Sequence, residues 1–533
     1  MDEADYVIVG AGSAGCVLAD RLSADGRARV ILVEAGGDDR RFWIRTPIGY
    51  GRTFLDPSVN WRFHAEPDPG LDGRAPYVPR GRTLGGSGSI NALVWHHGLP
   101  ADYDDWRDAG AAGWGARDVA PVFARIARRV RADGAVAGAG PVSVETPEAQ
   151  YHPIRRHFLA AAREIGLPVT ADMNGPAPEG VGPYPLSTRD GRRCSAADAF
   201  LRPALRRPNL AVLTDTLAVR VIFDGVRAAG VEIRRHGATR VLKARREVIL
   251  AAGAVGSPVI LQRSGVGPGP LLQRLGIPVV LAVPAVGGGL QDHVGVNYAY
   301  RATEPTLNDV LGTWAGRLGA GARYLLARSG PLALSVNQMG GLVRSRPDAP
   351  RPDMQLYFNP LSYSAEFAGA RPLTRPDPWP GFILGFNPCR PSSAGRVEIA
   401  AADPGTPPRI VTGYLSDEAD HAAVLAGARL VGRLQETAAM RALIAAPPVF
   451  DPARADDAAI LADFRARAGS VYHLCGTCRM GSGGALDPEL RLRGAAGLRV
   501  ADASAFPNVT SANTNAPTIM LAARAAELIV AGN

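Results

Sequence analysis

His473 sits in the run SVYHLCGTCRMG, Ser470 to Gly481, close to two cysteines, Cys475 and Cys478. Three chemistries fit such a cluster. Cys475 and Cys478 form a CxxC, which is half of a zinc site or a redox dithiol. The imidazole could instead take a proton, since neutral histidine titrates in the range a general base needs. Zinc wants two further ligands, and the chain carries no second CxxC and no paired-histidine motif, so metal: none is the expectation. Five cysteines in all, Cys16, Cys194, Cys389, Cys475 and Cys478, are too few and odd in number for a disulfide framework. These residues alone leave dithiol and acid–base chemistry both open.

The elements that would position a reactive group begin at the other end of the chain. The apolar run Tyr6-Val7-Ile8-Val9 reads as a buried parallel strand, followed by Gly10-Ala11-Gly12-Ser13-Ala14-Gly15 and a helical stretch through Leu22. Gly10 permits a tight turn. Gly12 lets the backbone approach a pyrophosphate at the helix N-terminus, beside Ser13 and Ala14. Gly15 lets helix and strand pack closely. A second strand, Val30 to Val33, ends in Glu34-Ala35, which places an acid where a ribose would be bound. The fingerprint predicts a dinucleotide site, does not separate NAD from FAD, and disfavours NADP. Two further glycine-bearing stretches stand out, the first by itself an ordinary glycine–serine loop. Pro79 to Gly98 carries Gly85, Gly86 and Gly88 with Ser87, Ser89 and Asn91. Arg245 to Pro268 runs from an apolar strand, Val248 to Ala251, through Gly253 to a helix expected to begin at Ser257-Pro258 and stop at Ser264-Gly265.

These motifs, with ADYDDW (Ala101 to Trp106), VGGGLQDHV (Val286 to Val294), RPSSAGRVEI (Arg390 to Ile399), HLCGTCRMG and LRVADASAFPNVTSANTNAPT (Leu498 to Thr518), occur in one order over nearly the whole chain. In that order they resemble the glucose–methanol–choline (GMC) oxidoreductases, in particular the bacterial branch of alcohol and choline dehydrogenase-like enzymes. The resemblance implies FAD and oxidation of a primary alcohol, aromatic or aliphatic, to the aldehyde. Hydride would pass to flavin N5, and oxygen or a quinone-like carrier would reoxidise the flavin. His473 matches the family's active-site base and Asn513 its partner. Besides Gly10 to Gly15, Glu34 and Ala35, the implied cofactor-binding residues are Arg82, Leu84, Gly85, Gly86, Ser87, Asn91 and Ala92. Val219, Ala252 and Gly253 join them, as do Asp502, Ala503, Asn513, Asn515 and Pro517. Ile90 stands where some members carry the histidine that bonds to the flavin, so non-covalent FAD is expected. Gly88 replaces a more common serine, and His96 and His97 also depart from the pattern. With an apolar residue usual at the position of Cys475, the thiols are read as buried and inert. The same resemblance admits a hydroxynitrile lyase-like enzyme or a non-catalytic flavoprotein as alternatives.

The implied architecture is α/β: a Rossmann-type doubly wound FAD-binding domain interleaved with an α+β substrate domain built on an antiparallel sheet. The FAD-binding domain is expected over 1–155, 190–300 and 459–533, and the substrate domain over 156–189 and 301–458. Gln355 to Phe358, Gly381 to Phe386 and Arg396 to Ala400 read as strands of the second sheet. Leu311 to Leu326 reads as an amphipathic helix, and Gly134 to Gly140 as a flexible linker. Candidate pocket residues are Asn337, Met339, Tyr357, Phe358 and Trp379. No motif sets an acid within an aromatic cage, so choline is not the preferred substrate.

The 533 residues carry a net charge of +9. Lys243 is the only lysine, and the arginines are scattered rather than blocked with aromatics, so no nucleic-acid partner is expected. The charge allows peripheral contact with acidic membranes. The acidic start, Met1-Asp2-Glu3, runs straight into a strand and is unlike a secretory signal, so a cytoplasmic location is expected. Oligomeric state has no signature in the sequence.

Overall fold

The computed structural model describes residues 2–363 and 375–532. Two sheets organise it. The first contains β1 (Glu3–Val9), β2 (Val30–Val33), β3 (Leu210–Leu213), β4 (Thr216–Asp224), β5 (Arg227–Arg235) and β6 (Ala238–Leu250) in the order β3-β2-β1-β6-β5-β4. The short strand Leu498–Val500 lies parallel to the end of β6. β1, β2, β3 and the second half of β6 run parallel, while β4, β5 and the first half of β6 form an antiparallel meander. Every residue of β2 and the last four of β1 are buried, which is why these strands are unbroken apolar runs. Helix α1 (Ser13–Leu22) leaves the glycine turn after β1.

The second sheet is antiparallel: β7 (Val294–Ala302), β8 (Met339–Val343), β9 (Met354–Asn359), β10 (Gly381–Pro388) and β11 (Ile444–Ala446), ordered β8-β9-β10-β7-β11. Gly469–Ser470, just ahead of His473, pairs with the start of β7. β9 and β10 are buried throughout. Each sheet sits in its own apolar core, and in the second Phe358 stacks on Phe158 at 5.0 Å. The α/β class with a doubly wound sheet and an antiparallel sheet is therefore the one the motifs implied.

Four local readings are corrected. Arg396 to Ala400 is not part of the second sheet: Gly395–Glu398 pairs with Gly288–Leu290 and Arg409–Val411 in a separate three-stranded sheet. The helix expected from Ser257 begins at Gly253 instead (α2, Gly253–Arg263) and contains Pro258. Proline has no N–H to give the carbonyl of Ala254, and the Thr477 hydroxyl donates to that oxygen at 2.7 Å. The threonine of the CxxC thus stabilises α2. Gly134 to Gly140 is no linker: Val136–Ala137 pairs with Ala127–Val130. A Cβ at Gly138 would lie 2.2 Å from the Ala127 carbonyl oxygen, so glycine there serves close backbone approach. Finally, the helix predicted at Leu311 starts at Trp314 (α3, Trp314–Ala327), after a separate turn Leu307–Leu311.

Two later helices complete the frame. α4 (Glu418–Gln435) packs on β10, and α5 (Asn515–Ala531) packs along α1. A very close approach is at Gly15, where an added Cβ would stand 1.8 Å from the Gly10 carbonyl oxygen. Gly15→Ala must push α1 off β1. It is expected to cost about 1–3 kcal/mol and to strip bound nucleotide, read as a lower thermal midpoint and a lower flavin-to-protein absorbance ratio. Unchanged values of both would refute this packing.

Candidate active site and cofactor cradle

A cavity of about 1100 Å³ runs from the glycine turn after β1 to the antiparallel sheet. At one end it is lined by Gly10, Gly12, Ser13, Ala14, Glu34 and Ala35, and by Gly86 and Ser87 of the second glycine loop. The two loops touch: a Cβ on Gly86 would meet Cα of Gly12 at 2.7 Å. The Glu34 carboxylate accepts from the backbone N–H of Ala11 at 2.9 Å and Gly36 at 2.8 Å, which points it into place. Burial raises its pKa to about 7. Asp502 is fixed by Gly253 N–H at 2.8 Å, Ser257 Oγ at 2.6 Å and Ser504 N–H at 2.7 Å. Backbone amides at a helix start, a held acid and a long glycine-walled cleft fit a dinucleotide such as FAD.

Gly88 has a structural reason. The Ser13 hydroxyl donates to Asn515 Oδ1 at 2.6 Å, and a Cβ on Gly88 would meet that hydroxyl at 2.7 Å. The Ser13–Asn515 pair occupies the space a serine would need. Arg193, which no sequence motif singled out, clamps the same loop. It is buried and donates to the carbonyls of Ile44, Gly88 and Asn91 and to Asn91 Oδ1 at 2.6 Å. Burial lowers its pKa to about 10.

At the other end the cavity reaches His473 and Asn513. The backbone that carries His473 is tied down on both sides. The buried Asp292 carboxylate accepts from His473 N–H at 2.7 Å, Ser470 Oγ at 2.5 Å and Tyr414 Oη at 2.6 Å. Arg80 donates to the Tyr472 carbonyl at 2.6 Å. Tyr472 adopts φ 68°, an uncommon left-handed conformation for a tyrosine, held by these contacts.

The imidazole belongs to a chain of hydrogen bonds whose directions can be assigned. His293 Nε2 lies 2.7 Å from the carbonyl oxygen of Cys389, which only accepts, so Nε2 carries a proton. Burial lowers the His293 pKa to about 4, so the ring is neutral and Nδ1 is a bare acceptor. His473 Nδ1, 2.8 Å away, must therefore be the donor. Burial, then the nearby His293 and Arg80, holds His473 well below the usual histidine range, so it too is neutral. Its Nε2 is left with a lone pair, facing Asn513 Nδ2 at 3.0 Å. The Asn513 amide is oriented in turn, because Oδ1 accepts from Gln355 Nε2 at 3.1 Å.

The remaining residues named from the sequence fall in three groups. Asn91, Ala92, Ala252, Gly253, Asp502, Ala503 and Asn515 line the cavity. Gly15, Leu84, Gly85 and Pro517 are not among the residues lining it, Gly15 and Pro517 lying buried in α1 and α5; Arg82 lies over the Trp61 ring at 4.9 Å. In the strand that carries Val219, the cavity is lined by Thr216, Leu217 and Ala218, while Val219 is buried. Of the pocket candidates, Asn337 and Tyr357 line the cavity. Met339 and Phe358 point into the second core, because alternate strand residues face opposite sides of a sheet. Trp379 lies under Arg301 at 4.3 Å. Cys475 and Cys478 are fully buried free thiols in the first core, and burial raises the pKa of each. His96 accepts from Gly98 N–H at 3.0 Å, and His97 stacks on Phe123 at 4.0 Å.

Comparison with known proteins identifies the family to which the chain is similar. Two models of the GMC oxidoreductase family match residues 4–295 and 391–522. The chain is 39% identical over 546 residues to mitochondrial choline dehydrogenase of Homo sapiens, covering 99% of this chain and 90% of that one. It is 37% identical over 532 residues to an alcohol dehydrogenase (acceptor) of Pseudomonas putida, covering 99% and 95%. A crystal structure of pyridoxine 4-oxidase from Mesorbium loti superposes with a TM-score of 0.87 at 28% identity, over 98% of both chains.

The tautomer assignment is open to direct measurement. With ¹⁵N-labelled histidine, and with His473→Asn to assign the signals, Nδ1 of His473 is expected to be protonated and Nε2 bare, with no titration between about pH 6 and 8. In His293→Leu the acceptor is gone and a mixture of tautomers is expected. A protonated Nε2 in the parent protein would contradict the network.

Proposed function

Because the chain belongs to the GMC oxidoreductase family, we propose that it oxidises an uncharged primary alcohol, with His473 as the base and a non-covalently held FAD as the hydride acceptor. The observation that carries the reading is the bare Nε2 of His473, held beside the Asn513 amide at the wall of the cavity. An alcohol is too weak an acid to ionise unaided at neutral pH, and that lone pair can accept its proton while Nδ1–H stays bonded to His293. The Asn513 N–H can donate to the alcohol oxygen and stabilise charge that develops on it. A flavin bound in the cradle supplies the acceptor for the hydride. Ile90, at the cavity wall, has no nucleophile with which to bond it covalently, which supports a dissociable cofactor.

The cavity walls bear on the substrate. Tyr50, Phe54, Tyr357, Tyr363, Phe386 and Tyr472 give an aromatic lining. Among the described residues the only carboxylates lining the cavity are Glu34 and Asp502, both in the nucleotide cradle. A quaternary ammonium would find rings but no counter-charge, so the choline of some relatives is disfavoured against a neutral aromatic alcohol. The electron acceptor that follows is oxygen or a quinone-like carrier.

Two outcomes are expected. On anaerobic mixing, benzyl alcohol bleaches the flavin absorbance, and choline at equal concentration does so far more slowly. His473→Ala retains FAD but loses roughly 10²–10⁴ of the flavin-reduction rate. Parent-like reduction in that variant would remove His473 from the role. A parent enzyme that no alcohol bleaches would remove the reaction.

A further inference from the structure

Helix α3 is amphipathic in the reverse of the usual sense. Its buried residues are Ala320 and Tyr324. The side facing water carries Trp314 at 79% exposure, Leu318 and Leu325 at 59% each, and Leu326 at 89%. At 3.6 residues per turn, Trp314, Leu318 and Leu325 fall within roughly 40° of one another, and Leu326, also exposed, sits roughly 100° round from their centre. The buried Ala320 and Tyr324 lie roughly 140° and 100° round from that ridge. Phe42, itself 48% exposed, packs on the buried side of the helix through its ring contact with Tyr324 at 6.2 Å. A surface helix normally hides such residues, and four large exposed apolar side chains, three on one ridge and the fourth beside it, mark a surface that something covers.

Charge indicates what covers it. The helix WAGRLGAGARYLLA contains no acid. Arg317 donates to the Leu311 carbonyl, Arg323 to Ser329 Oγ, and Arg328, just past the helix end, stacks on Tyr324 at 4.9 Å. Among the described residues, none of the three is paired with a carboxylate. Tryptophan and leucines on one side, flanked by unpaired arginines and with no acid, is the pattern of a helix that lies in the plane of a bilayer surface. No helix of the described residues is long and apolar enough to cross a membrane, so the contact would be peripheral.

We propose that α3 docks the enzyme on an anionic phospholipid bilayer, burying Trp314, Leu318, Leu325 and Leu326 among the acyl chains while Arg317, Arg323 and Arg328 meet lipid phosphates. None of these residues lines the catalytic cavity, so the inference stands apart from the assigned chemistry.

The test is co-sedimentation of the FAD-loaded full chain with vesicles of phosphatidylcholine alone or mixed with phosphatidylglycerol. Binding to the mixed vesicles, weakened by added salt, and little binding to phosphatidylcholine alone are expected. Trp314→Ser with Leu318→Ser and Leu326→Ser should abolish binding and leave flavin content and reduction in solution unchanged. Arg317→Gln with Arg323→Gln, which leaves the apolar ridge intact and guards against misfolding of the first variant, should lower binding about tenfold. Absence of binding to anionic vesicles, or equal binding by the arginine variant, overturns the proposal. So does a parent dimer that the serine variant dissolves to monomers without vesicle binding, since the ridge would then face a second copy.

Discussion

A lone pair on one ring nitrogen governs the arrangement at the centre of this protein. Nε2 of His473 is bare because Nδ1 is committed to His293, and His293 is committed to a backbone carbonyl of Cys389. Each link is a hydrogen bond whose direction is forced by the next, and burial keeps both rings uncharged. Remove the carbonyl at the far end, and nothing defines which nitrogen of the near ring faces the cavity. The Asp292 carboxylate and the Arg80 guanidinium hold the backbone that carries this ring, so position and protonation are fixed by separate groups.

The same constraint explains why two sheets are needed. The parallel sheet delivers glycine turns and held acids for a long anionic ligand at the ends of its strands. The antiparallel sheet contributes the opposite wall, and its strand β9 places Gln355 against Asn513 and Tyr357 in the cavity. His473 follows the short strand that pairs with β7, so the candidate base is attached to the second sheet, while Asn513 and Asn515 lead into α5, which packs along α1. The two candidate groups, His473 and Asn513, meet where the two halves face each other. Acids confined to the nucleotide end leave the remainder of the cavity without a carboxylate, lined by aromatic rings and by arginines such as Arg80 and Arg467.

Much of this was legible in the residues. The strand, Gly10, Gly12, Gly15 and Glu34 follow one another within a single supersecondary unit, so their spacing alone carries the meaning. His473 and Asn513 were legible through motif order. His293, Gln355 and Arg193 were not, although His293 lies inside the VGGGLQDHV run. Each acts through a partner far away in the chain, and an ordinary histidine, glutamine or arginine carries no local mark of that. The pattern of α3 was legible as amphipathic, but its direction was not: a sequence shows that one side of a helix is apolar, not which side the rest of the protein covers.

The sequence by itself determined the parallel strands and the dinucleotide fingerprint, because those depend on local backbone geometry and on residue types at short spacing, and it singled out His473 as candidate base only through the resemblance carried by the order of its motifs. Only the tertiary structure decided which nitrogen of His473 is free, that Thr477 serves the carbonyl left by Pro258, that Gly88 makes room for Ser13 and Asn515, and that Trp314 and its neighbours face outward. Those depend on contacts between segments distant in the chain, and distance through space is fixed by packing, which no short window of residues contains.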